Sequence, residues 1–132
     1  PRQDPGSPYS GVISQFIARA REGAPLRVLG DGQQTRDFVY VGDVARAFAL
    51  ALDVPKIGGM IGNIGTGVAV SIAGLAGAVI TAARSGSPIV HGPARAGDIA
   101  HSRAECSRAH SRLGFAAEVA LAEGLRRTLA AP

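Results

Sequence analysis

The stretch Thr35-Arg36-Asp37-Phe38-Val39-Tyr40-Val41-Gly42-Asp43-Val44 constrains this chain more than any other. Phe38, Val39, Tyr40 and Val41 are aromatic or β-branched, a run that favours a strand covered on both faces. Gly42 breaks that strand, and Asp43 is expected to cap a helix over Val44–Leu52. Arg36 stands just before the strand, where a guanidinium at a loop mouth can grip a phosphate through two parallel hydrogen bonds. A solvated arginine at the edge of a core strand fits the same spacing, so both readings stand at this point.

The flanking sequence repeats the alternation of strand and helix. Ser10 is placed to cap a helix whose apolar residues Val12, Ile13, Phe16, Ile17 and Ala20 share one face, and Gly23 stops it. Pro25–Leu29 reads as a short strand before the turn Gly30-Asp31-Gly32. After a second turn at Gly58-Gly59, Met60–Ile64 reads as another strand. Ser71 then caps the clearest helix, in which Ile72, Leu75, Ala76, Val79 and Ile80 form an amphipathic stripe. Ser85–Pro88 ends that helix, Ile89–His91 is a strand, and the polar stretch Arg103–Leu113 and Leu121–Leu129 are helices. Strands alternating with helices argue for an α/β fold.

The 132 residues suit one domain with a modest core, and 46% hydrophobic with 18% charged residues reads as soluble and globular. No apolar run reaches the roughly 18 residues that a membrane helix needs, and the first residues carry no signal-peptide pattern, so no membrane role is expected. Cys106 is the single cysteine, which excludes an internal disulfide and a thiolate cluster for metal. A cytoplasmic location is the expectation. The net charge of +4 permits an acidic partner, but the arginines are scattered, Lys56 is the only lysine and aromatic residues make up only 5%. Without a base-stacking cluster, nucleic acid is not the expected partner.

Two glycine loops invite a cofactor reading. Gly65-Thr66-Gly67 has Val70 where a dinucleotide fingerprint needs its third glycine, and Gly30-Asp31-Gly32 has Thr35 there, followed by a strand. Both are expected to be tight turns. No histidine, cysteine or carboxylate cluster has metal-ligand spacing, and His91, His101 and His110 read as loop or surface residues.

Arg36-Asp37-Phe38-Val39-Tyr40-Val41 with Gly42-Asp43-Val44 resembles a motif of nucleotide-sugar epimerases and dehydratases, which are extended short-chain dehydrogenase/reductases. Asn63-Ile64-Gly65-Thr66-Gly67, Arg95-Ala96-Gly97-Asp98, Ala104–Ala109 and Leu113-Gly114-Phe115 follow in the family's order. Arg2-Gln3-Asp4-Pro5 resembles the segment just after the family's central strand. The resemblance implies the C-terminal substrate-binding portion of a Rossmann-type fold, residues 1–132, without the N-terminal cofactor-binding half. It is most similar to the UDP-sugar 4-epimerases, enzymes of the glucose or N-acetylglucosamine series in which NAD takes a hydride from C4 of the sugar and returns it to the other face.

The implied site binds a UDP-sugar. Arg36 and Arg95 would clamp the diphosphate, Asp98 the ribose hydroxyls, and Val12 and Leu29 the uracil. Leu29 stands where the family often has Phe or Tyr, which leaves the base an aliphatic contact instead of a ring. No tyrosine here has a lysine four residues on, so the family's catalytic dyad is missing, and the chain alone is expected to be inactive and without a cofactor site. The resemblance also implies the missing half as partner and allows a homodimer of the whole enzyme. A 4,6-dehydratase, a decarboxylase and a non-enzymatic basic binding module stay open as alternatives. Strands parted from their sheet are expected to expose Phe38, Tyr40 and Ile64 and to favour self-association.

Overall fold

A computed structural model describes residues 11–55 and 58–131 of the chain. The expected cap Ser10, like Arg2–Pro5 and Lys56, lies outside the described residues. The chain divides into two compact units: one takes the residues up to Gln34, Ser71–Ala100 and those from Ala122, and the other takes Thr35–Val70 and His101–Leu121.

The first unit is helix laid on a parallel ladder. Strand β1 (Leu26–Leu29) pairs in parallel with β4 (Ile89–Gly92), in the register Leu26↔Ile89 to Leu29↔Gly92. Helices α1 (Val12–Arg21) and α3 (Ile72–Ala83) pack on β1 and on each other. The period-2 pattern of β1 points Leu26 and Val28 inward, both fully buried, toward Phe16, Ile17 and Ala20 of α1 and Leu75, Ala76 and Val79 of α3. Both helices form where the apolar spacing places them. Gly23 takes φ +68° after α1, and the Ser71 hydroxyl accepts from Gly74 N at 3.0 Å to cap α3. Helix α5 (Leu121–Ala130) buries Leu125, and Arg21 donates to the Leu129 carbonyl at 2.7 Å.

Gly32 is required on two grounds: its φ is +74°, and a Cβ there would stand 2.8 Å from Val28 Cγ1 and 2.9 Å from Ala73 Cβ. The close approach lets the Gly32 and Gln34 carbonyls accept from Ala73 N and Ile72 N, both at 3.0 Å.

The second unit has little regular structure besides two helices. Strand β2 is only Thr35–Arg36, paired with the two-residue β3 (Val70–Ser71), where the chain returns to the first unit. The expected strand over Phe38–Val41 is therefore not formed. Two features end it: the Asp37 side chain turns to other loops, and Tyr40 becomes the N-cap residue of α2 (Val41–Asp53), its carbonyl accepting from Asp43 N and Val44 N. Helix α2 starts three residues earlier than expected, and Asp43 is not its cap. Met60–Ile64 is likewise without strand structure, and the helix expected from Arg103 is shortened to α4 (Ser107–Leu113), closed by Gly114 at φ +64°.

Asp43 sits in the first turn of α2, 2% exposed, and its carboxylate accepts from Glu118 N at 3.2 Å and Val119 N at 3.0 Å. Arg46, one turn on, pairs with Asp43 at 3.2 Å and Glu118 at 3.3 Å and stacks 5.1 Å from the Phe115 ring centroid. Burial pushes the Asp43 carboxyl up, but the backbone N–H groups of Val119 and Glu118 and the Arg46 guanidinium outweigh it, so it lies below the ordinary aspartate range. Beside this knot, Ala47, Ala109 and Phe115 form a small core flanked by Leu50, Ile64 and Leu113.

Phe38, Tyr40 and Ile64, expected to be exposed, are half-buried. Exposed apolar side chains stand on α2, where Val41, Phe48 and Leu52 are 56%, 71% and 88% exposed at helical spacing, and singly elsewhere, as at Ile61, Val68 and Ile99.

Candidate functional site

Four of the five residues singled out in the sequence lie in the first unit. Val12 opens α1, half-buried, and Leu29 ends β1, half-buried. Arg95 and Asp98 are exposed on the loop that leaves β4, in a turn closed by Asp98 N donating to the Arg95 carbonyl at 3.2 Å, with Gly97 at φ +75°. Leu29, the last residue of β1, and Arg95 and Asp98, which follow β4, thus lie at the carboxyl ends of two adjacent parallel strands, the end at which open α/β sheets gather ligands.

That end is well braced. Gly30 N donates to the Gly92 carbonyl at 2.9 Å, the Gln34 amide donates to the Leu29 carbonyl at 2.9 Å, and His91 Nδ1 lies 2.7 Å from the Gly30 carbonyl. A carbonyl can only accept, so His91 carries its proton on Nδ1. The sequence marked His91 as a loop or surface residue, and it is an exposed member of β4.

Arg36 lies in the second unit, half-buried on β2, with Nη1 donating to the Thr35 carbonyl at 2.8 Å. Its surroundings are organised by a residue that the sequence reading passed over. The Asp37 carboxylate accepts from Thr66 N at 3.0 Å and from the Thr66 hydroxyl on Oδ1, and from Gly67 N at 2.9 Å and Ala104 N at 3.2 Å on Oδ2. Burial raises its pKa, but these four donors, the Thr66 hydroxyl foremost, outweigh it and hold the carboxyl below the ordinary range. The signal was present in the sequence as an acidic residue heading an apolar, strand-forming run. Thr35 adds a parallel bridge to His101, with its hydroxyl 3.1 Å from His101 Nδ1 and its carbonyl accepting from Ser102 N at 3.0 Å.

An open cleft of about 630 Å³ in the second unit is lined by Met60, Ile61, Arg108 and Arg112 among others, and none of the five residues borders it. Among the described residues no cluster of His, Cys, Asp or Glu could hold a metal ion, and no helix is long and apolar enough to cross a membrane.

The glycine loops do not fit a dinucleotide. A pyrophosphate needs free N–H groups at a glycine loop or helix N-terminus. Thr66 N and Gly67 N are spent on Asp37, and a Cβ on Gly65 would stand 2.8 Å from that carboxylate and 2.5 Å from Ala104 Cβ. The first three N–H groups of α3 are taken by Gln34, Gly32 and Ser71. The Gly65-Thr66-Gly67 loop packs on Asp37 and Ala104, and Gly32 packs on Val28 and Ala73.

Residues 1–65 match the model of the NAD dependent epimerase/dehydratase family. The UDP-glucose 4-epimerase of Mycolicibacterium smegmatis is 40% identical over 129 residues, 98% of this chain and 41% of that protein. The chain belongs to the NAD dependent epimerase/dehydratase family. A crystal structure of the UDP-glucose 4-epimerase of Thermotoga maritima with UDP-glucose superposes with a TM-score of 0.89 at 35% identity, over 98% of this chain and 41% of that one. The fold is that of the extended short-chain dehydrogenase/reductases. A UDP-N-acetyl-alpha-D-glucosaminuronate decarboxylase of Bacillus cytotoxicus is 45% identical over 93 residues, 70% of this chain and 28% of that protein. This family member spans about two fifths of the length of the two epimerases it matches.

Proposed function

We propose that this chain is the UDP-sugar-binding portion of a NAD-dependent UDP-sugar 4-epimerase, an isomerase. The likeness to a structure solved with UDP-glucose carries the reading, and the gathering of Leu29, Arg95 and Asp98 at the carboxyl ends of β1 and β4 supports it. Arg95 and Arg36 bind the diphosphate, each guanidinium able to take two phosphate oxygens at once. Asp98 accepts from the ribose hydroxyls, and Val12 and Leu29 pack against the uracil without a stacking ring.

The dinucleotide and the proton-transfer residues belong to the remainder of the enzyme, because the glycine loops here are filled and no tyrosine–lysine dyad exists in the sequence. That remainder is also the partner proposed for the uncharged outer stripe of α2. Relatives carry about one and a half times as much chain again outside the matched region, and Val41, Phe48 and Leu52 form an apolar surface that a folded neighbour would cover. The whole enzyme is taken to be cytoplasmic and able to form a homodimer, with neither nucleic acid nor membrane as a partner.

Calorimetry with UDP and uridine tests the reading. Arg95→Ala should weaken UDP binding roughly ten- to hundredfold, since a charge-assisted hydrogen bond is worth about 1.5–3 kcal/mol, and should leave uridine nearly untouched. Equal losses for both ligands, or none for UDP, would remove the clamp. The decarboxylase match supports a second reading, in which the sugar carries a carboxylate. Tighter binding of UDP-glucuronate than of UDP-glucose by the chain would favour it.

A further inference from the structure

We propose that Asp37 is a positioning residue for the nucleoside-diphosphate site: it fixes the backbone that presents Arg36 by knotting three separate segments onto one carboxylate. The inference rests on the reading of Arg36 as a diphosphate ligand and adds a residue that this reading does not contain.

The geometry is specific. Asp37, Thr66 with Gly67, and Ala104 are far apart in sequence and meet at this carboxylate. Every acceptor position of the carboxylate is used in a directed way, two donors on each oxygen. On the other side of Arg36, the Thr35 carbonyl accepts from both Ser102 N and Arg36 Nη1. Arg36 is therefore held between two anchored residues, and its guanidinium is tethered to the backbone that they fix.

A carboxylate next to a phosphate ligand carries a cost, because its negative charge opposes the incoming anion. Here three backbone N–H dipoles and one hydroxyl aim at that charge and offset it. Asparagine is nearly isosteric but cannot replace it. Its amide nitrogen donates, so either the Oδ1 pair or the Oδ2 pair of donors would face another donor. Glycine at position 65 belongs to the same device, since any Cβ there meets the carboxylate and Ala104.

The test combines a ligand-free readout with a binding cycle on the full chain. ¹⁵N relaxation of the Arg36 guanidinium should report an ordered group in the native chain and a mobile one in Asp37→Asn. UDP affinity of Asp37→Asn should fall about tenfold while uridine affinity stays level, and Asp37→Asn should cost nothing further in an Arg36→Ala background. Thr66→Val, which removes one donor and keeps the backbone bonds, should act in the same direction by about threefold and serves if Asp37→Asn does not fold. Unchanged Arg36 order, equal weakening of UDP and uridine, or additive losses in the double variant would overturn the proposal. If Arg36→Ala leaves UDP binding unchanged, or the native chain takes up no UDP, the diphosphate reading fails, and the order of Arg36 alone decides whether Asp37 positions it.

Discussion

The two units are held together by different physics. In the first, two amphipathic helices cover a parallel ladder, and the fully buried residues are Leu26, Val28, Leu75, Ala76 and Val79. In the second, the apolar cluster is small, and the loops are gathered by two carboxylates, Asp37 and Asp43, each receiving backbone N–H groups from segments distant in sequence. An apolar core is non-directional and depends on area and shape. A carboxylate knot is directional and depends on charge and on the exact donors. Damage to the first unit should therefore follow side-chain volume, and damage to the second should follow protonation.

The largest effect is expected in the first unit. Leu75→Ala, at a fully buried position on α3, should cost about 3–5 kcal/mol in denaturant unfolding. A cost below about 1 kcal/mol would mean that the layer is not the main support of that unit.

Next comes the buried knot of the second unit. Asp43→Asn keeps the volume but removes the charge that faces Arg46, Glu118 N and Val119 N, at an expected cost of about 2–4 kcal/mol. Amide exchange should accelerate at Glu118 and Val119 and stay unchanged at Leu26 and Val28. Uniform acceleration through both units would erase the distinction between them.

Acid should separate the units without mutation. Asp37 and Asp43 both have folded pKa values below the ordinary aspartate value, so the unfolded chain takes up protons first as pH falls. Their stabilisation is complete above the usual value of about 3.9 and is lost as pH falls through the lowered folded values. Glu123, whose pKa is also lowered, pairs with Arg126 and Arg127 on a surface helix, and such pairs contribute little. Exchange followed on acidification should open Thr66, Gly67 and Val119 before β1. The reverse order would contradict the assignment.

Smaller effects sharpen the contrast. Ser71→Ala should cost about 1 kcal/mol by removing the cap of α3, read as a shift in the unfolding midpoint. Phe48→Gln, on the exposed face of α2, should change stability by less than about 0.5 kcal/mol. The same substitution should reduce any concentration-dependent association seen by sedimentation, because it interrupts the apolar stripe.

What the sequence determined by itself was set by local, periodic signals. The stripe from Ile72 to Ile80, the Ser71 cap, the glycine stops after α1 and α4 and the short strand β1 before its glycine turn each act within a few residues, so they read directly. The candidate residues Leu29, Arg95 and Asp98 were legible as a motif, and only the pairing of β1 with β4 put them at the same end of one ladder. The run from Phe38 to Val41 misled, because strand propensity needs a neighbouring ladder to become a strand, and the chain spends that stretch on an Asp37 knot and an early helix start instead. Asp43 misled for a related reason: a cap and a buried acceptor use the same side chain, and the choice fell to Glu118 and Val119, some 75 residues away. Carboxylate partners at such separations carry no periodicity, so the tertiary structure alone decided them.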